Sequence, residues 1–225
     1  VPIYRKVNKD FFKKWTAEMA YILGFFGADG YITHNKRGAY FWSIQITDKK
    51  LLNSIKKVIQ SDHAIGIRNG KKKNHSVLYR LQIGNKEMCD DLRMLGMRER
   101  KTKRLAIPNV PKKYFPDFVR GYFDGDGSVW AGYQRRDRPT QSLAIQTIFT
   151  SCSIPFLETL ALRLAMYDLS GCIYKERNTY ARLRYSIRSS LKLYDFMYNN
   201  SVAISQGLFL ERKKKIFEWY MYMRP

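Results

Sequence analysis

Tyr21-Ile-Leu-Gly-Phe-Phe-Gly-Ala-Asp-Gly30 returns later in the chain as Phe118-Val-Arg-Gly-Tyr-Phe-Asp-Gly-Asp-Gly127. Each copy reads as an apolar helix that ends in Asp-Gly, glycine being a common residue at a helix C-terminus. The segments downstream of the two copies also repeat one another. After Gly30 come a short strand at 31–34, a turn at Lys36-Arg37-Gly38 and an alternating strand at 40–47. Together they read as a hairpin. A helix over 48–60 carries Leu51, Leu52, Ile55, Val58 and Ile59 at helical spacing. Next comes a second hairpin, with strands at 64–68 and 77–83 around the basic loop 70–74, then a helix over 86–95.

The second half keeps this order: strands at 128–133 and 142–150, a helix over 154–167, strands at 171–176 and 180–188, then helices over 191–199 and 208–221. A third landmark closes each half, where Glu99-Arg-Lys101 parallels Glu211-Arg-Lys213. The expected fold is therefore α+β, two pseudo-symmetric αββαββα half-domains at 1–106 and 114–225. Residues 107–113, with Pro108 and Pro111, form the linker.

Composition constrains the partner. With 45% hydrophobic residues, 225 residues can bury a sizeable core, yet 41 Lys+Arg against 19 Asp+Glu leave a net charge of +22. Such an excess repels itself and marks a surface for a polyanion, nucleic acid first. No apolar run of ~18 residues could span a membrane. The N-terminus has no apolar core of a secretion signal. Cys89, Cys152 and Cys172 lie far apart without zinc spacing, which reads as three buried small hydrophobes in a reducing, intracellular compartment. His34, His63 and His75 fall in or near loops without evident partners, so they are expected at the surface, at most touching nucleic acid.

The repeated helices hold small residues one turn apart, Gly24 and Ala28 in one, Gly121 and Gly125 in the other. That spacing lets two helix backbones touch. Packed together, the helices would set Asp29 beside Asp126. Two adjacent carboxylates repel unless a cation shares them, and a hard divalent ion such as Mg²⁺ or Mn²⁺ is the natural partner. The end carbonyls of Ala28 and Gly125 are further candidate ligands. A lone Asp-Gly helix end would need no such role; two matched ones in a chain this basic point to one site.

These motifs resemble the paired helices of the LAGLIDADG homing endonucleases, over nearly the whole chain. The first copy departs at Gly27, where the family motif has an Asp that the second copy retains as Asp124. Asp124 is expected as a polar helix-end residue and not a ligand. The resemblance implies two antiparallel sheets forming a saddle over double-stranded DNA. It also implies a metal site at Asp29 and Asp126, with each strand hydrolysed to leave a staggered break by one chain acting as a monomer without a protein partner. By position, Lys101 and Lys213 match the family's basic residue near the scissile phosphate, although both also sit in basic runs. Asp48 and Ser153 occupy the place after the second strand where the family often has a water-orienting Gln, although both are also good helix N-caps.

Reading of base edges would fall to polar residues alternating with apolar ones on the strands. Ser43, Gln45, Arg80 and Gln82 are the candidates in the first half, and Arg182, Arg184, Ser186 and Arg188 in the second. Thr33, Asn35, Arg37, Arg68, Gln134, Gln146 and Lys175 are further candidates, while the loops at 70–74 and 135–138 would touch the DNA backbone. The same scaffold could instead serve a non-cutting DNA-binding regulator or an intron RNA maturase. The intact Asp29 and Asp126 pair favours cutting.

Overall fold

In a computed structural model, the structure describes residues 5–68, 76–134, 141–176, 179–199 and 201–224. The loops at 70–74 and 135–138 and His75 lie outside the described residues. The first half runs α1 (Ala17–Asp29), β1 (Gly30–His34), β2 (Tyr40–Ile46), α2 (Lys49–Val58), β3 (Ile65–Arg68), β4 (Leu78–Gly84) and α3 (Lys86–Met94). The second runs α4 (Phe115–Asp126), β5 (Gly127–Gln134), β6 (Ser142–Ser151), α5 (Ile154–Ala165), β7 (Cys172–Glu176), β8 (Tyr180–Tyr185), α6 (Ile187–Tyr198), α7 (Val202–Ser205) and α8 (Glu211–Met223). Each half builds one four-stranded antiparallel sheet, ordered β1-β2-β4-β3 and β5-β6-β8-β7. The fold is α+β, with the same topology twice.

The two halves meet through α1 and α4. Residues 19–27 of α1 are all buried, as expected of a helix that is apolar all round and covered on every side. The crossing depends on missing side chains. A Cβ on Gly24 would stand 2.1 Å from the Phe118 carbonyl oxygen, and one on Gly121 2.0 Å from that of Tyr21. Backbone therefore lies directly on backbone, and Ala28 faces Gly125 one turn further on.

Glycine after each Asp has a different reason from the one expected. Gly30 and Gly127 are extended, with φ of −85° and −89°, and do not adopt the left-handed cap. The chain passes straight from helix into strand across a phenyl ring, so a Cβ on Gly30 would stand 2.1 Å from Phe26 and one on Gly127 2.4 Å from Phe123.

Three expectations need correction. Strand β8 ends at Tyr185, its pairing with β6 running out at Thr147↔Tyr185. Ile187 and Arg188 already belong to α6, where the Ser190 hydroxyl bonds the Tyr185 carbonyl and receives the Thr147 amide. Only Cys89 is buried; Cys152 and Cys172 are exposed. Ser153 precedes α5 without capping it through its side chain.

Candidate metal centre and nucleic-acid interface

Because α1 and α4 are in contact and end together, Asp29 and Asp126 close the same crossing. A Cβ on Gly125 would lie 3.4 Å from Asp29 Oδ2, so the Asp29 carboxylate reaches over the end of the opposite helix. Burial raises its pKa to about 6, and the charge of Asp126 adds to the rise against the pull of Lys213 and Lys101. Asp126 is the more open of the two. Crowding by surrounding protein raises it as well, against Lys101 and Lys213.

Burial thus outweighs the pull of two nearby lysines at both carboxylates, and a divalent cation suits such a pair. Among the described residues no third acidic, histidine or cysteine side chain completes a metal cluster. That donor set suits an ion that keeps waters and takes phosphate oxygens. Asp29, Asp126 and the end carbonyls of Ala28 and Gly125 are the groups available to hold it.

Lys101 and Lys213, equivalent in sequence, are not equivalent in place. Lys101 opens a short 3-10 turn at 101–103, preceded by Arg100 in the left-handed region at φ 53°. Its Nζ donates to the Gly30 carbonyl at 2.5 Å. Lys213 is buried in the first turn of α8, and its Nζ donates to the carbonyls of Phe123 (2.6 Å), Asp124 (2.8 Å) and Gly127 (2.6 Å). An ammonium has three N–H donors, and here all three are occupied. Lys213 therefore caps the carbonyls on both sides of Asp126 and holds that residue in place. Burial pushes its pKa down to about 8, still charged at neutral pH.

Asp124 is buried at the same crossing. It accepts from the Tyr21 hydroxyl (2.7 Å) and the Leu210 amide (2.9 Å), joining α1 to the start of α8. Both bonds go to Oδ2 and tie α1 and α4 to the start of α8. A cleft of about 220 Å³ opens beside it, lined by Asp29, Gln45, Asp48, Asp124 and Arg212 among others. Asp48 is both in this cleft and the N-cap of α2, accepting from the Leu51 amide at 2.8 Å. Ser153 is not available to orient water, because it is buried and its hydroxyl donates to the Leu105 carbonyl at 2.8 Å.

On the sheets, register decides which side chains face outward. Gln45↔Arg80, Ser43↔Gln82, Gly66↔Arg80 and Arg68↔Leu78 share the face away from the core, and Thr33 joins them through Thr33↔Phe41. Ser43 is fully buried there, with Tyr31 and Gln82 its partners in register, so it does not present itself for readout. Arg37 is exposed in the β1–β2 turn. The Asn35 side-chain oxygen Oδ1 is occupied in that turn, accepting from the backbone amides of Arg37 and Ala39 at 3.0 and 2.9 Å.

In the second sheet Gln134, Gln146, Arg182 and Arg184 share the outer face, through Gln146↔Trp130, Tyr174↔Arg182 and Ile148↔Arg184. Lys175 does not. It pairs with the buried Ala181 and so belongs to the opposite face. Arg188 is exposed on α6, off the sheet. His34 lies beside Tyr40 with the two rings tilted, and His63 bonds Ser61. Residues missed by the sequence reading on the outer face are Trp130, Tyr174 and Glu176. Reading strands as lone alternations hid Glu176 and Tyr174, because β7 is short and its register is fixed only by β8.

Comparison with known proteins covers both halves. The LAGLIDADG-like domain family matches residues 16–93 and 117–199. The chain is 26% identical over 168 residues to the DNA-directed RNA polymerase subunit Rpo1C of Methanocaldococcus jannaschii, covering 72% of this chain and 17% of that protein. It is 35% identical over 98 residues to the probable translation initiation factor IF-2 of Thermococcus kodakarensis, covering 42% of this chain and 7% of that protein. The chain thus spans only a small part of these relatives. Among solved structures, it superposes on the homing endonuclease I-WcaI bound to its DNA recognition sequence with a TM-score of 0.61 and 16% identity, covering 93% of this chain and 91% of that one. The LAGLIDADG meganuclease I-AabMI bound to uncleaved DNA gives 0.60 and 18%, covering 90% and 88%. At these identities the structural likeness concerns the fold. No described helix is long and apolar enough to cross a membrane.

Proposed function

The chain belongs to the LAGLIDADG-like family, and from that premise we propose that it is a site-specific endonuclease that cuts both strands of double-stranded DNA with a divalent metal, Mg²⁺ or Mn²⁺. The observation that carries this reading is the meeting of Asp29 and Asp126 at one helix crossing, each with its pKa raised by its surroundings. A divalent cation bound there supplies charge relief on the phosphate and an activated water. The protein's own part is to fix the carboxylates: glycines bring the helices together, Lys213 clamps the carbonyls around Asp126, and Lys101, with one donor on Gly30, keeps two others for a phosphate oxygen. Asp48 lines the adjoining cleft and can accept a bond from water there.

Two outer sheet faces carrying Thr33, Gln45, Arg68, Arg80 and Gln82 on one side and Gln134, Gln146, Arg182 and Arg184 on the other support a saddle on the major groove. Arg and Gln provide donors for guanine and adenine edges, and a net charge of +22 favours the phosphate backbone. One chain contains both carboxylates, so a monomer suffices, with half-domains at 1–106 and 114–225 joined by 107–113. Cutting at both halves of the pseudo-dyad would leave staggered ends. The matches to short parts of two proteins of unrelated name support a mobile element of the intron or intein kind.

The test is selection of cut sites from a randomised duplex library, with Mg²⁺ and with excess chelator. Asp29→Asn and Asp126→Asn should each abolish double-strand cutting while DNA binding persists. Full cutting by either variant, or cutting in chelator, overturns the proposal.

A further inference from the structure

Arg182 and Arg184 are not free on their sheet face, and what holds them is one carboxylate. Glu176 Oε1 lies 3.4 Å from Arg182 Nη1 and 3.5 Å from Arg184 Nη2. Each guanidinium also stacks on a ring, Arg182 over Tyr180 at 5.3 Å and Arg184 over Tyr174 at 4.7 Å, and Arg182 Nη2 donates to the Tyr180 hydroxyl at 3.2 Å. Register explains the assembly: Glu176↔Tyr180, Tyr174↔Arg182 and Cys172↔Arg184 place all of them on one face of β7 and β8.

A surface ion pair contributes little to stability because ordering two long side chains costs as much as the attraction returns. Here two arginines share one acceptor and each has an aromatic floor, so the arrangement restricts side chains that would otherwise sample many rotamers. An arginine has five N–H donors. The bonds to Glu176 and Tyr180 leave enough on each to engage a guanine O6 and N7 together. Residues two apart on a strand are separated by roughly 6.8 Å, close to two base-pair steps at about 3.4 Å each. The first half has no such device among the described residues: Arg80, at the corresponding place on β4, stands opposite Gly66 and Gln45 and has no carboxylate partner.

We propose that Glu176 is a specificity-determining residue that pre-orients Arg182 and Arg184 to read two guanines in the half-site under the second sheet, which makes that half-site the more stringent of the two. This rests on the reading of the chain as a sequence-specific DNA-binding enzyme. Order imposed before binding is entropy that need not be lost on the DNA, so the effect falls on discrimination between bases and not on the chemical step. Glu176 is remote in sequence from Asp29 and Asp126 and belongs to a different edge of the fold.

The experiment measures base preference at every position of the selected site for the wild-type chain, Arg182→Ala, Arg184→Ala and Glu176→Gln, with single-turnover cutting of the best site at saturating protein. Expected is a guanine preference lost at one position in each arginine variant, and a reduction of about tenfold at both of those positions in Glu176→Gln. In Glu176→Gln the preferences in the other half-site should stay unchanged, and thermal unfolding should confirm that each variant is folded. A merely structural Glu176 would weaken all positions alike or lower the melting temperature; that result overturns the inference. So does an unaltered guanine preference in Glu176→Gln. A wild-type chain with no base preference at all would instead defeat the parent reading of function.

Discussion

Removing the charge of Asp29 should make the metal-free protein more stable while ending its activity. Its carboxyl is raised from 3.8 to about 6 by burial and by Asp126. At roughly 1.4 kcal/mol per pH unit, ionising Asp29 in the folded chain therefore costs up to about 3 kcal/mol more than in the unfolded chain. An Asn fills the same space without the charge. For a chain of this size, each kcal/mol moves the melting temperature by about 2–4 °C, so Asp29→Asn should melt up to roughly 6–12 °C higher at pH 7 in chelator. Proton binding sets the sign: the folded state holds the Asp29 proton more tightly, so this group destabilises the fold as pH rises through 3.8 towards 6. The penalty is absent below the lower value and complete above the upper. The gap between variant and wild type should shrink as pH falls from 7 to 4. Saturating Mg²⁺ should raise the wild-type melting temperature and leave Asp29→Asn nearly unmoved. A variant less stable than wild type at pH 7, or a gap independent of pH, would refute the account of a strained carboxylate pair.

Lys213→Met should destabilise by about 2–4 kcal/mol in urea unfolding, because three carbonyls of α4 and its exit lose their donor inside the protein; Lys101→Met, losing one half-buried bond, should cost about 1 kcal/mol or less. Gly24→Ala forces a methyl into the Phe118 carbonyl and should cost at least about 2 kcal/mol, read from the shift in denaturation midpoint. Ser153→Ala should leave the single-turnover cutting rate within about twofold of wild type, since its hydroxyl serves the Leu105 carbonyl; a loss on the order of a hundredfold would restore it to the catalytic machinery.

Much of the fold was legible because it rests on local periodicity. Alternation in Trp42, Ile44 and Ile46, helical spacing in Leu51, Leu52 and Ile55, and paired glycines before Asp29 and Asp126 each depend on one element's own geometry. They gave the element order, the repeat and the helix pairing. What failed depended on neighbours. The pattern Leu183-Arg184-Tyr185-Ser186-Ile187-Arg188 alternates without a break, yet the strand stops where β6 stops pairing with it. Ser43 looked outward, and its register faces that way beside Tyr31 and Gln82, but it is fully buried. Lys175 changes face because β7 takes its register from β8.

The two aspartates show the same division. Sequence by itself determined that two like helices end in Asp, that their small residues let them touch, and that a chain of net charge +22 seeks a polyanion, since composition and spacing act through short-range sterics and total charge. Only the tertiary structure decided that the matched lysines differ, Lys101 with donors to spare and Lys213 enclosed by three carbonyls. It also decided that Glu176 meets Arg182 and Arg184. Those outcomes depend on which atoms of distant segments come within hydrogen-bond range, and that is a property of the packed chain.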